Sequence, residues 1–558
     1  MNYFITYTIY VLILSVLLGV SSWKMFKKMG YNPLLAFIPF YNYYIILKET
    51  NHSKWWAIMS YLPIVGTILM SVFHLFLMKK MGKKSTLDKV LTVILPFIYM
   101  AYVNYTQTLG EEEEEFLLPG EEKEEEKKET FLGSVVFAIV FATIIHTFIA
   151  QPFGIPTGSM ENTLKVGDFL FVNKLNYGFR MPTRPLAIPF LQGTIFDTGE
   201  KNNPKDDPKS YVEAVDLPYF RFPGWEKVKR NDIVVFNYPE DSVHTAIDRK
   251  DAYVKRCVAV AGDKIEFRKG KLFINGEPEK RMGDAEVQHA YIATTETQIN
   301  VPAIYDQFGF LPLTEESTNT GYAYIFQGLT DALAKEIGQL PEVIDIKEVI
   351  DEPITEPQIE YYPVKVNGQL VNDGTDHALM SNKVNTSNTI FPINKPWNAD
   401  NYGPLDIPKK GQVVTLTQDN LPTYKRIIEN YEGNSFEEKD GNFFINGKET
   451  NQYTIKYDYY MMIGDNRDAS LDSRYFGFVP ETHIVGKPMF TWMSIEGLFA
   501  NAQSTYQANG KKIRWDRMFK ATNTGEKNKT SYWWIAVAIL VLFFGWDFFR
   551  NLLKKKEK

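Results

Sequence analysis

Three apolar runs punctuate the chain, and the long stretch between the last two alternates with a period of two. Residues 1–23, 131–150 and 531–546 carry no Asp, Glu, Lys or Arg. The run 131–150 is 20 residues long, enough for a helix to cross a hydrocarbon core of about 30 Å. It predicts a transmembrane helix over 131–152. Residues 1–23 lack the basic start and cleavage pattern of a secretory signal peptide and read as a retained anchor. Residues 531–546, followed by Lys554-Lys555-Lys556, read as a second anchor. Lysine bias puts the C-terminus in the cytoplasm and the polar body outside, and Lys24, Lys27 and Lys28 put the end of the first span inside. Segment 55–78 is broken by Pro63 and Gly66, while 33–47 and 90–105 are apolar but short. Counting all three as crossings conflicts with the lysines of 79–84 or with the parity that helix 131–152 requires. At least one is expected to be re-entrant or interfacial.

Past residue 153 the period changes. Short alternating or β-branched runs at 233–236, 253–260, 271–274, 412–416 and 442–445 lie between turn residues and predict strands. Two stretches repeat. Residues 229–235 lead to Lys255-Arg256 and then Phe273-Ile274-Asn275-Gly276. Residues 409–414 lead to Lys425-Arg426 and then Phe444-Ile445-Asn446-Gly447. This reads as a duplicated β unit closed by Asn-Gly hairpins. The organisation expected is a multi-segment membrane region over 1–109, an acidic linker over 110–130 and the helix 131–152. A catalytic body follows in two parts, 153–276 and 409–528, around an inserted subdomain at 277–408. The C-terminal anchor and basic tail take 529–558.

Composition adds exclusions. The net charge of the 558-residue chain is −6, but the linker alone holds eleven Glu and three Lys. The acidity is therefore local, and nothing in it points to nucleic acid. Cys257 is the one cysteine, so no disulfide forms within the chain and no cysteine-based zinc site exists. The seven histidines are scattered without paired spacing. Neither a metal nor a cofactor is expected.

Chemistry is concentrated in three places. Thr157-Gly158-Ser159-Met160 lies just beyond the run 131–150, at the membrane surface. Gly158 permits close backbone approach, and the Thr157 hydroxyl could join the Ser159 amide in holding an oxyanion. A serine nucleophile needs a base, and no histidine sits in a comparable turn. On an extended strand Lys255 shares its face with Cys257, Ala259 and Ala261. An ammonium among such small apolar residues is poorly solvated, and desolvation lowers a lysine pKa. Lys425 is the rival base, but Ile427 and Glu429 follow it in alternation. The third place is the polar loop 464–474, from Gly464-Asp465-Asn466 through Ser470 to Asp472-Ser473-Arg474. It lacks the EF-hand spacing and terminal Glu of a calcium loop. Asp472 can pair with Arg474.

Together these stretches carry a resemblance. Ser159-Met160-Glu161-Asn162-Thr163-Leu164 with Gly167-Asp168, the strand 230–236, Tyr253-Val254-Lys255-Arg256 ending at Gly262-Asp263, and 464–474 continuing through Gly477-Phe478-Val479-Pro480 occur in order. They resemble the boxes of bacterial type I signal peptidase (leader peptidase), a membrane-bound Ser–Lys protease that removes signal peptides from exported proteins. The resemblance implies a mainly β fold, with a body of antiparallel sheets and α-helical membrane segments at both ends. It implies Ser159 as nucleophile, Lys255 as general base, Thr157 and the Ser159 amide as oxyanion hole, and Ser470 as the residue orienting Lys255. Asp472, Arg474 and Asp465 would be structural support, and Ile155, Pro156, Leu164 and Val254 would wall pockets for small side chains. The implied substrates are secretory preproteins with small residues before the cleaved bond. The implied location is the cytoplasmic membrane, multi-pass, with the body on the periplasmic side. The apolar loop 184–196 could touch lipid. Glu161-Asn162 replaces the usual proline-bearing step, and Asn231 replaces a common glycine. A soluble self-cleaving Ser–Lys regulator is disfavoured by the anchors, and an inactive envelope protein by the presence of every reacting group.

Overall fold

Capped by Asn2, whose side chain accepts from Phe4 N at 3.1 Å, and closed by Lys27 and Lys28, the first apolar run folds as the helix Tyr3–Lys28. Negative charge at its start is absent, but the two lysines complement the C-terminal end of the helix dipole. At 26 residues it is, among the described residues, the one helix long and apolar enough to cross a membrane. The structure is a computed structural model. It describes residues 2–107, 124–195, 207–241, 246–283, 285–308, 312–318, 321–353, 390–499 and 511–522. It also describes the fragments 359–361, 364–366, 369–371 and 378–380, and isolated residues from 531 to 541. Most of the acidic linker and most of the C-terminal anchor lie outside this set.

The chain forms two units. The first gathers Met1–Gln151, Gly178–Pro223 and Asp241–Asp251. The broken pattern of 24–109 becomes short pieces: the turns Pro33–Phe37 and Lys54–Met59 and the helices Tyr41–Glu49, Val65–Lys80, Thr86–Ile94 and Pro96–Thr106. Pro96 separates the last two, because proline cannot continue the hydrogen-bond ladder of a preceding helix. Leu18, Met25, Phe26, Tyr43, Ile46 and Leu77 lie in one buried core with Leu217 of the later stretch. Tyr61 O–H sits within that core, bonded to Ser15 Oγ at 2.8 Å and to Asn42 Nδ2 at 2.9 Å.

The run 131–150 departs from expectation at its end. Helix Glu124–Ile144 passes through one wide turn, Ile145–Ile149, and the chain is already extended in Ala150–Gly154. Helix therefore stops short of 152. Pro152 explains this: it lacks an N–H and biases Gln151 away from the helical region.

The second unit is antiparallel sheet, as expected. Asp168–Asn173, Ile484–Glu496, Ile233–Asn237, Ala252–Ala259, Tyr459–Ile463 and Val479–Pro480 lie side by side in that order. The 13-residue strand Ile484–Glu496 serves two neighbours in succession, pairing Ile484 with Phe236 and later Phe490 with Phe171. A second sheet orders Tyr402–Asp406, Lys264–Arg268, Lys271–Ile274 and Glu277–Pro278. Strands Phe436–Lys439, Asn442–Ile445 and Lys448–Glu449 form a third.

The repeat is present in the hairpins and in the turn and strand that open each unit, and fails between them. Asn275-Gly276 and Asn446-Gly447 both turn with positive φ, at 54° and 84° and at 51° and 76°. Asn275 Oδ1 accepts from Lys264 N at 2.8 Å, and Asn446 Oδ1 accepts from Ser435 N at 3.0 Å. Lys425 has no counterpart to the strand of Lys255. It lies exposed on the helix Leu421–Arg426, so it cannot be a desolvated base.

The insert is smaller than 277–408. His289–Thr295, Thr314–Thr318, Gly321–Leu329 and Val343–Glu348 make its own sheet, packed with the helices Val301–Phe308 and Asp331–Ile337 around Tyr324, Phe326 and Ile337. By residue 390 the chain is back in the body. Ile390, Phe391, Tyr402, Leu405 and Ile407 belong to the body's core, and Leu405 pairs with Ile265.

Candidate active site

Strand Ala252–Ala259 is held by Ile233–Asn237, with Val234 opposite Lys255. The Lys255 side chain is 4% exposed. Its Nζ donates to Ser159 Oγ at 2.7 Å and to Val254 O at 3.2 Å, and it lies 5.2 Å from the centre of the Tyr253 ring. Burial pulls the amine down from the ordinary lysine value to about 8, against the carboxylates of Asp472 and Asp465, which favour its charged form. Once neutral, the same nitrogen can accept the Ser159 proton over that distance.

Ser159 sits on the single turn Gly158–Met160. Thr157 before it is extended (φ −128°, ψ 156°), and Pro156 and Thr157 are exposed. The turn is clamped by loop 464–474. Asn466 N donates to Ser159 O at 3.1 Å and Asn466 Nδ2 to Gly158 O at 3.1 Å. Asp465 N reaches Met160 Sδ at 3.3 Å. Gly464 is required by closeness. A Cβ there would stand 2.5 Å from Ser159 O and 2.2 Å from Ser470 Oγ.

Asp465 is fully buried and fork-bonded by Arg256, Nε to Oδ1 at 2.8 Å and Nη2 to Oδ2 at 2.7 Å. Thr163 Oγ1 adds a third bond at 2.7 Å. Burial opposes ionisation of Asp465, but the Arg256 guanidinium and these bonds outweigh it and hold the carboxyl below the usual range. Asp472 and Arg474 form the expected pair, Nη2 to Oδ2 at 3.0 Å, and Asp472 Oδ2 also accepts from Gly464 N at 3.2 Å. Burial alone would lower the Arg474 pKa; Asp472 overrides it and raises it.

Ser470 lies next to Gly464, on the side that also faces Ser159 O. It is buried, but its Oγ has no hydrogen-bond partner and makes no bond to Lys255. The lysine amine is already committed to Ser159 Oγ and Val254 O. Ile155 and Leu164 lie in one apolar cluster with Met160, Ile233 and Val235, and Val254 packs against it. Pro156 does not join this cluster. Arg256, Thr163, Asn466 and Met160 lie within the motifs, but their roles in the site are visible only in the structure. The available signal was Arg256 itself, a charge on a strand whose other members are mostly apolar.

A buried lysine amine in contact with a serine hydroxyl, on an antiparallel body attached to apolar helices, defines the class: membrane-associated serine hydrolases that use lysine in place of histidine. A sequence model of the family described as "Signal peptidase, peptidase S26" matches residues 128–318 and 407–493. Residues 34–109 match a "Family of unknown function (DUF5684)". The chain is 24% identical over 480 residues to signal peptidase I of Haemophilus influenzae, covering 81% of this chain and 93% of that protein. It is 25% identical over 401 residues to signal peptidase I of Helicobacter pylori, 71% of this chain and 94% of that one. Over 157 residues, 27% of this chain and 40% of the relative, it is 33% identical to signal peptidase I of Pseudomonas aeruginosa. The chain belongs to the signal peptidase family S26 and is a serine endopeptidase.

Asn162 has φ +67°, a region that asparagine tolerates and proline's ring forbids. Restoring the family's proline by Asn162→Pro should therefore destabilise the fold by about 1–3 kcal/mol and remove activity, whereas Asn162→Gly should keep both. Urea melts with a peptide-cleavage assay check this.

Proposed function

We propose that Ser159 and Lys255 carry out the cleavage of signal peptides from preproteins, the activity of this family. The observation that carries the assignment is the 2.7 Å contact between a buried lysine amine and the serine hydroxyl. A preprotein's cleavage region lies extended past Ser159 as an added strand. Its small side chains fill shallow pockets walled by Ile155, Leu164 and Val254, with Pro156 at the rim. Neutral Lys255 takes the Ser159 proton while Oγ attacks the scissile carbonyl carbon. The oxyanion is held by the Thr157 hydroxyl and the Ser159 amide; one such donor is worth about 10²–10³ in rate. Lys255 then gives its proton to the leaving amine as the C–N bond breaks. Water, deprotonated by the same lysine, attacks the acyl ester and frees Ser159. This is triad logic with lysine as base. Arg256 with Asp465, and Arg474 with Asp472, are the scaffold. Ser470, with its unpartnered buried hydroxyl, is the residue that would steady Lys255 once the serine proton has moved.

The protein is membrane-anchored, and Tyr3–Lys28 supplies a span. The proposed topology is multi-pass in the cytoplasmic membrane, with the body on the periplasmic side, supported by the lysines that follow residue 23 and end the chain. Contact with lipid is proposed for the loop after Arg184. Ile188, Phe190 and Leu191 are exposed there, and Phe190 lies 5.2 Å from His146 in the last turn of the apolar helix.

Mass spectrometry of preprotein products checks the dyad. Ser159→Ala and Lys255→Arg should each reduce cleavage by at least about 10³-fold with the fold retained, arginine because it stays protonated. The rate should fall as pH drops through about 8, where Lys255 gains its proton, and level off above it; a pH–rate profile lacking that acidic limb contradicts the assignment. Phe190→Asp should slow cleavage of preproteins embedded in vesicles while leaving a short soluble peptide cleaved as before.

A further inference from the structure

The insert's sheet touches the loop that clamps the serine turn. Gln288, one residue before strand His289–Thr295, makes a parallel bridge to Asn466. Its N donates to Asp465 O at 2.9 Å, and its O accepts from Arg467 N at 2.9 Å. Ala290 N donates to Asp468 Oδ2 at 2.6 Å. From strand Gly321–Leu329, Gln327 Nε2 donates to Asp468 O at 3.0 Å. The Gln288 side chain runs the other way. Its Nε2 donates to Gly328 O, where the register of that strand shifts between Phe326 and Leu329.

Gln288 is fully buried, and its Oε1 has no hydrogen-bond partner. An orphaned buried carbonyl opposes stability. Methionine would fill nearly the same volume without it. The residue is therefore poorly suited to packing alone, and what it supplies is the single tie from its amide to Gly328.

We infer that Gln288, assisted by Gln327, is a positioning residue for the hydrolysis: its side-chain bond to Gly328 O holds in place the main chain that pairs with loop 465–467, so that Asn466 can hold Ser159 against Lys255. Gln288 touches no reacting atom and acts through Asp465, Asn466 and Arg467. The inference rests on the Ser159–Lys255 assignment above.

The test uses full-length Gln288→Met and Gln327→Ala enzyme, with kcat, KM, a pH–rate profile and a melting curve for each. Gln288→Met removes the orphaned Oε1 but leaves Gly328 O without its donor, so the two effects offset and the melting temperature should change little. Its kcat should fall on the order of tenfold with KM unchanged, since small misplacement of a reacting group is expensive in rate. Its acidic limb should move to higher pH, because a loosened turn admits water to Lys255 and weakens the desolvation that keeps the amine neutral. Gln327→Ala, at a half-buried position, should show the same changes in smaller measure. Unchanged kcat and limb in Gln288→Met overturn the inference. A loss of kcat that tracks a loss of melting temperature, with the limb in place, overturns it too. If Ser159→Ala remains active, the nucleophile assignment fails instead; a fully active Gln288→Met beside an inactive Ser159→Ala defeats the positioning role alone.

Discussion

The proposed chemistry depends on keeping one amine dry. Lys255 can accept a proton near neutral pH only while water is excluded from it, and two buried carboxylates act against that requirement. Asp472 and Asp465 both favour the ammonium form. Each, however, is matched by a guanidinium in a two-bond fork, Arg474 on Asp472 and Arg256 on Asp465. A paired carboxylate projects a much weaker field than a bare one. The two arginines therefore do more than secure a loop: they let carboxylates stand near the lysine without restoring its charge. Replacing either arginine would leave an uncompensated buried charge and would also push the amine back toward its ordinary value.

Asp465 shows how distant segments become one site. Arg256 and Asp465 are 209 positions apart, and Thr163 and Asp465 are 302 apart. Gly464 makes the convergence possible by leaving room for Ser159 O and Ser470 Oγ where a side chain would stand. Loop 464–474 is thus a polar hub. Its backbone grips the serine turn, one carboxylate grips the lysine strand through Arg256, and its outer side meets the insert. Buried polar networks of this kind are stable only when their members are mutually satisfied. Within the loop, Ser470 Oγ, Asn466 Oδ1 and the Nε and Nη1 of Arg467 are left without hydrogen-bond partners.

Local signals were legible in the sequence and long-range ones were not. The strands at 271–274 and 442–445 matched to the residue because Asn-Gly demands positive φ and fixes each hairpin. Lys255 was readable as a desolvated amine because strand periodicity shows which neighbours share its face. Lys425 looked like its copy, since the surrounding words repeat, but Leu421-Pro422 starts a helix there. The apolar helix ends before 152 because the chain turns extended at Ala150, which hydropathy alone does not show. The insert was read too large because nothing local reveals that Tyr402–Asp406 pairs with a strand more than a hundred residues earlier. The Arg256–Asp465 fork was invisible for the same reason.

The first unit poses a different problem of assembly. Between Ser159 and Lys255 the chain leaves the catalytic unit twice, as Gly178–Pro223 and as Asp241–Asp251, and both excursions fold with the N-terminal helices. Ile64 N donates to Pro185 O at 2.8 Å, and Ile64 is buried with Ala187 and Tyr211. Phe220 stacks on Tyr3 with ring centres 5.4 Å apart. The segment matching a family of unknown function shares buried apolar clusters with the first excursion, through Leu217 and through Ala187 and Tyr211.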